Sequence, residues 1–112
     1  MDPTTFMTEL VAIWTERDRA RRRSAFEAHY HSDVRFHDHD GSFTGLAELE
    51  TFSDGLQQRF PGAVFALSQP AERLGDGIRA FWTFGRVTGM DFAVLDGDKV
   101  RTLYAFVTLP AR

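Results

Sequence analysis

Residues 37–40 read His-Asp-His-Asp within the stretch VRFHDHDGSFTG. Imidazoles and carboxylates at this density can ligate a metal ion, and a carboxylate held away from water can take and return a proton. His29 and His31 form another His-x-His pair upstream, and a separate acid, Asp91, begins the apolar run DFAVL beside Gly89 and Met90. On a strand, His37 and His39 project from the same face, together with Arg35, which alternation assigns to solvent. His29 and His31 fall at a helix end, where i,i+2 residues do not share a face. Zinc requires a closed tetrahedral set, or three protein ligands and an open position. No histidine follows His39 and the chain has no cysteine, so no metal and no cofactor is expected.

The opposite parity carries the acid–base reading. Asp38 continues the face of Val34 and Phe36, the inward one. A carboxylate there is costly unless it is paired, hydrogen-bonded or protonated, and the same desolvation raises its pKa toward the range of a general base. The alternative is that Asp38 ends the strand and caps the turn at residues 40–42. Asp91 poses the same choice between a turn cap beside Thr88-Gly89 and an acid entering a cavity.

The surrounding elements follow from periodicity. Asp2-Pro3 is an N-cap followed by proline at the first helical position, and Phe6, Leu10 and Ile13/Trp14 recur at helical spacing. The five arginines of residues 17–23 read as a helix end, where cations near the last turn favour the macrodipole, and a second helix fits residues 22–31. Residues 34–39 alternate as a strand, and Leu46, Leu49, Phe52/Ser53 and Leu56 mark a third helix that stops at Phe60-Pro61-Gly62. Strands follow at 63–68, 78–88, 91–95 and 99–109, with a connection at 70–77, a turn at Thr88-Gly89 and a hairpin at Asp96-Gly97. Helices first and hairpin-connected strands later indicate an α+β domain with a mainly antiparallel sheet.

At 112 residues the chain forms one domain. A net charge of −3 offers no general attraction for nucleic acid. The N-terminus lacks a basic n-region, its apolar run at 10–14 is too short to cross a bilayer, and a cytoplasmic protein with no membrane partner is expected. Eleven Phe, two Trp and two Tyr imply either a very aromatic core or an apolar cavity lined with rings.

AFEAHYHSDVRFHD, GSFTGLAELETF and GMDFAVLDGDKVRTLYAF, in that order and spacing, resemble the nuclear transport factor 2-like superfamily, in its SnoaL-like and ketosteroid isomerase-like branch. The likeness spans about residues 6–109. It implies three helices packed in the concave face of a curved sheet, forming a cone with an apolar pocket. By the same resemblance, the general base of ketosteroid isomerase falls on Asp38, its protonated oxyanion donor near Asp91, its oxyanion tyrosine on Trp14 and a supporting tyrosine around Ser53. Tryptophan and serine at the last two positions argue against activity on ketosteroids. The resulting expectation is a cone that binds an apolar small molecule. Asp38 would act as base, with Asp91 and Trp14 hydrogen-bonding the substrate oxygen. Phe26, Tyr30, Phe36, Phe52, Trp82, Phe84 and Met90 are the expected walls. The alternative is a non-catalytic binding or dimerisation module in the same cone. On the final strand Leu103, Ala105, Val107 and Leu109 alternate against Val100, Tyr104 and Phe106. One set can line the cone and the other can join two copies into a homodimer.

Overall fold

The computed structural model describes residues 1–108. Helix α1 (Pro3–Ile13) begins where the Asp2 carboxylate accepts the Thr5 N–H at 2.8 Å, and it buries Phe6, Met7, Leu10 and Val11. Helix α2 (Arg19–His29) starts earlier than the apolar spacing indicates, capped by Asp18 through the Arg21 N–H at 3.0 Å. The arginines therefore occupy its first turns, the unfavourable end of the helix dipole. Ion pairs compensate: Arg19 and the buried Arg22 both reach Asp54, and Arg23 reaches Glu27 and Glu50. Asp54 and Glu50 belong to α3 (Leu46–Arg59), so the arginines fasten two helices together.

The strands are β1 (Tyr30–Asp38), β2 (Gly41–Thr44), β3 (Phe65–Leu67), β4 (Glu72–Leu74), β5 (Gly77–Phe84), β6 (Val87–Asp96) and β7 (Lys99–Thr108). They form one curved, open sheet in the order β2-β1-β7-β6-β5-β3, with β4 also paired to β5. All pairs are antiparallel except β1 with β7. The α+β expectation of three helices against a curved, mainly antiparallel sheet is met. The short strands β2 and β4, read as turn and connection, are additions.

The boundary between β5 and β6 also differs. The turn lies at Gly85, whose φ of 59° is a conformation glycine adopts without strain, and β6 runs straight through Thr88 and Gly89. On β5 and β6 the inward residues are Ile78, Ala80, Trp82 and Phe84, and Gly89, Asp91, Ala93 and Leu95. Between β6 and β7 the register shifts from Val94↔Thr102 to Leu95↔Val100, which inserts one extra residue on β7. Val100 consequently joins Leu103 in the core rather than Tyr104 and Phe106 on the outer face. Leu109 lies outside the described residues. Among the described residues no helix is long and apolar enough to cross a membrane.

Candidate active site

A cavity of about 140 Å³ opens between the helices and the inner sheet face. Trp14, at the end of α1, and Phe52 and Leu56 of α3 form its helical side. Phe36, Trp82, Phe84, Leu103, Ala105 and Asp91 form its sheet side, and Asp38, His39 and Asp40 line it as well. His39 and Asp40 are exposed and mark the mouth.

Sheet register arranges the two acids. Asp91 sits mid-strand on β6, opposite Ala80 on β5 and Ala105 on β7. β1 runs parallel to β7 with His37 beside Tyr104, and one step further puts Asp38 beside Ala105. Asp38, Ala105 and Asp91 thus form a row across adjacent strands. Two strand spacings separate the acid-bearing backbones, about 10 Å, with a methyl group between them.

Asp91 is 6% exposed. Its one side-chain hydrogen bond among the described residues comes from the Trp82 indole, Nε1 donating to Oδ1 at 2.8 Å. Burial raises its carboxyl pKa to about 7, against the opposing effect of the indole donor. Gly89 makes that bond possible. A Cβ at residue 89 would lie 2.4 Å from the Trp82 ring and 2.7 Å from the Phe106 carbonyl oxygen. The glycine that reads as a turn is a clearing for an indole.

Asp38 is half-buried and combines both roles left open by its position. Its Oδ1 accepts the Asp40 backbone N–H at 2.8 Å, so it does cap the turn. It also lines the cavity, and desolvation there outweighs the turn hydrogen bonds, leaving its pKa raised.

Other expected site residues divide. Phe36, Phe52, Trp82 and Phe84 line the cavity. Trp14 is a wall but not a free donor, because its Nε1 donates to the buried Tyr30 hydroxyl at 3.1 Å. Phe26 and Tyr30 stand behind Trp14 in the core, Phe26 meeting its ring edge-on at 5.2 Å. Met90 is corrected to the outer face: it pairs with Phe81 and Phe106, in antiphase to Asp91. The histidines also separate. His37 stacks on Tyr104 on the outer face, whereas β1 has ended before His39, which escapes the alternation and lines the cavity mouth while remaining exposed to solvent.

Phe60 and Phe65 are walls that sequence reading missed. Phe60 reads as a helix stop, and only the alternation of residues 63–68 hinted at Phe65, which stacks on Phe84 at 4.1 Å. Ligand atoms of Asp38, His39 and Asp40 lie within 4.8 Å of one another. This grouping differs from the His-x-His pair considered from sequence.

No protein-family model matches the sequence, and no curated protein does. Solved structures do share the fold. A SnoaL-like family protein from Agrobacterium tumefaciens superposes with a TM-score of 0.87 at 21% identity, over 94% of this chain and 96% of that one. A protein with a ketosteroid isomerase-like fold from Catenulispora acidiphila, in complex with trimethylamine, gives 0.78 at 16% identity, over 93% and 85%. A de novo designed protein with a curved β-sheet gives 0.72 at 14%, over 95% and 84%. The chain therefore has the fold expected from the resemblance. A shared fold by itself specifies no reaction.

Proposed function

We propose that the cavity binds a small apolar carbonyl compound and moves a proton on it, as an isomerase-, cyclase- or hydrolase-type acid–base catalyst. The observation that supports this most is the Asp38–Ala105–Asp91 row, two desolvated carboxyl groups with raised pKa values facing one aromatic cavity. Asp38, ionised, takes the proton alpha to the carbonyl. The C–H electron pair moves into the carbon–carbon bond, and the carbonyl π pair moves onto oxygen. Neutral Asp91 donates a hydrogen bond to that oxygen as its charge develops. The proton on Asp38 then returns to carbon, at the same or a conjugated position.

Asp38→Asn should reduce α-proton exchange of a small ketone in heavy water by about two orders of magnitude or more, followed by proton NMR, while ketone affinity stays level. Its stability at neutral pH should match or slightly exceed wild type. A raised carboxyl pKa opposes folding once the acid ionises, and the effect is small because solvent screens this half-exposed group. A mutant that keeps full exchange, or that melts lower at pH 7 but not at pH 5, would make Asp38 a turn cap alone.

A second reading, a binding module without chemistry, gains support from the Catenulispora complex with trimethylamine. Carboxylates among aromatic faces also suit an ammonium group.

The outer sheet face supports a homodimer under either reading. Met90 pairs with Phe106 and Phe92 with Tyr104 there, and Phe106 is 59% exposed. Sedimentation should give a dimer at micromolar concentration, shifted toward monomer by Phe106→Glu, and a wild-type monomer would end this proposal.

A further inference from the structure

We infer, resting on the carbonyl reading above, that the occupant is a compact neutral molecule of one ring. It presents a single acceptor oxygen to Asp91 and has no second polar atom in the buried part of the site. Volume is the first argument. A protein cavity of about 150 Å³ lined by apolar side chains takes up benzene, and the space here is about 140 Å³. A fused four-ring skeleton would not fit inside it and would have to project through the mouth at His39 and Asp40. The span is compatible with that size: about 10 Å separates the acid-bearing backbones, and the small Ala105 side chain leaves room for a ring between them.

The polar inventory supplies the third argument. Trp14 spends its N–H on Tyr30, and Trp82 spends its own on Asp91 Oδ1. Asp91 Oδ2 takes no hydrogen bond from the described residues and is not among the sealed, unpartnered atoms, so it is open to the cavity. An indole N–H can only donate, so Oδ1 must accept. The carbonyl-type oxygen is the better acceptor, so the indole on Oδ1 favours the proton of neutral Asp91 on Oδ2, where it offers one donor to one ligand acceptor. Asp38, His39, Asp40 and Arg59 also line the cavity, and the Tyr30 hydroxyl lies behind it, its pKa raised chiefly by burial.

Cyclohexanone and methylenecyclohexane have nearly the same shape and differ in the acceptor. Titrated into the protein by ligand-observed NMR at pH 5.5, the ketone should bind about tenfold more tightly, the worth of one hydrogen bond. The preference should fade by pH 8.5 in wild type, as Asp91 ionises. It should persist at both pH values in Asp91→Asn, whose amide keeps an oxygen for Trp82 and turns two N–H donors to the cavity. Ala105→Leu should abolish ring binding while leaving the melting curve near that of wild type.

Equal affinities at pH 5.5, tighter binding of cyclohexylamine than of the ketone, or a four-ring ketone binding as well as cyclohexanone would each overturn the inference. So would the absence of detectable ring binding. A retained ketone preference without α-proton exchange would leave the inference standing and remove only the catalytic reading.

Discussion

Asp91→Asn should melt well above the wild-type protein at pH 8 and level with it at pH 4. In the folded chain the carboxyl group has a pKa of about 7, raised from 3.8 by burial. Between those values the native state holds a proton that the unfolded chain has released, so stability falls as pH rises from about 4 to about 7 and then levels off. The loss is bounded at about 4 kcal/mol, from 1.36 kcal/mol for each pH unit between the two values. Asparagine has the shape of the neutral acid, accepts the Trp82 N–H and has nothing to ionise. The gap at pH 8 should be of the order of 10 °C, allowing for relaxation around the charge. Calorimetric scans at the two pH values provide the measurement. Equal melting at both, or a lower-melting mutant at pH 8, would mean that the carboxylate is charged and well compensated in the fold.

Gly89→Ala should be the most damaging single-methyl change on the inner sheet face. A Cβ at 2.4 Å from the Trp82 ring and 2.7 Å from the Phe106 carbonyl oxygen cannot be accommodated by rotating a flexible tip. The indole must tilt or β6 and β7 must part, at about 2–4 kcal/mol. The displaced indole also releases Asp91 Oδ1, so ketone binding should weaken along with stability. Trp82→Leu in the same background should recover part of the loss, and a double-mutant cycle measures how much. The carbonyl clash would remain. A Gly89→Ala protein as stable as wild type would show that Trp82 does not lie across residue 89.

These residues also mark where sequence reading stops. Helix α1, helix α3 and the alternating strands were legible because apolar spacing reports which face is buried. Gly89 was misread because a glycine in an apolar run suits a turn or a close approach equally well, and its cross-strand partner Trp82 decides between them. Asp91 stood out for its parity against Phe92 and Val94, yet only a continuous β6 makes it an interior acid rather than a cap. Trp14 as a donor failed because a residue type does not disclose whether its N–H is already engaged, here by Tyr30. The arginine cluster reads as the last turn of a helix but opens α2, because Asp18, its N-cap, is a weaker signal amid so many charges than Phe26 and Tyr30. The row Asp38–Ala105–Asp91 was not visible at all, since it depends on the parallel register of β1 with β7.

That parallel pairing also constrains how the chain reaches its folded state. β7, the last strand in sequence, lies between β1 and β6 at the middle of the sheet. The hairpins β1–β2 and β5–β6–β7 can form from local contacts, but β1 joins β7 only by closing a loop across most of the chain. Such long-range closure is slow, and until it occurs the neighbouring strands expose unpaired backbone. Residues 30–38 can pair with β2 early, yet their other edge would lack its partner on a ribosome until residues 99–108 have emerged. The Asp38–Ala105–Asp91 row comes into being only with that closure, so no nascent fragment lacking β7 carries it.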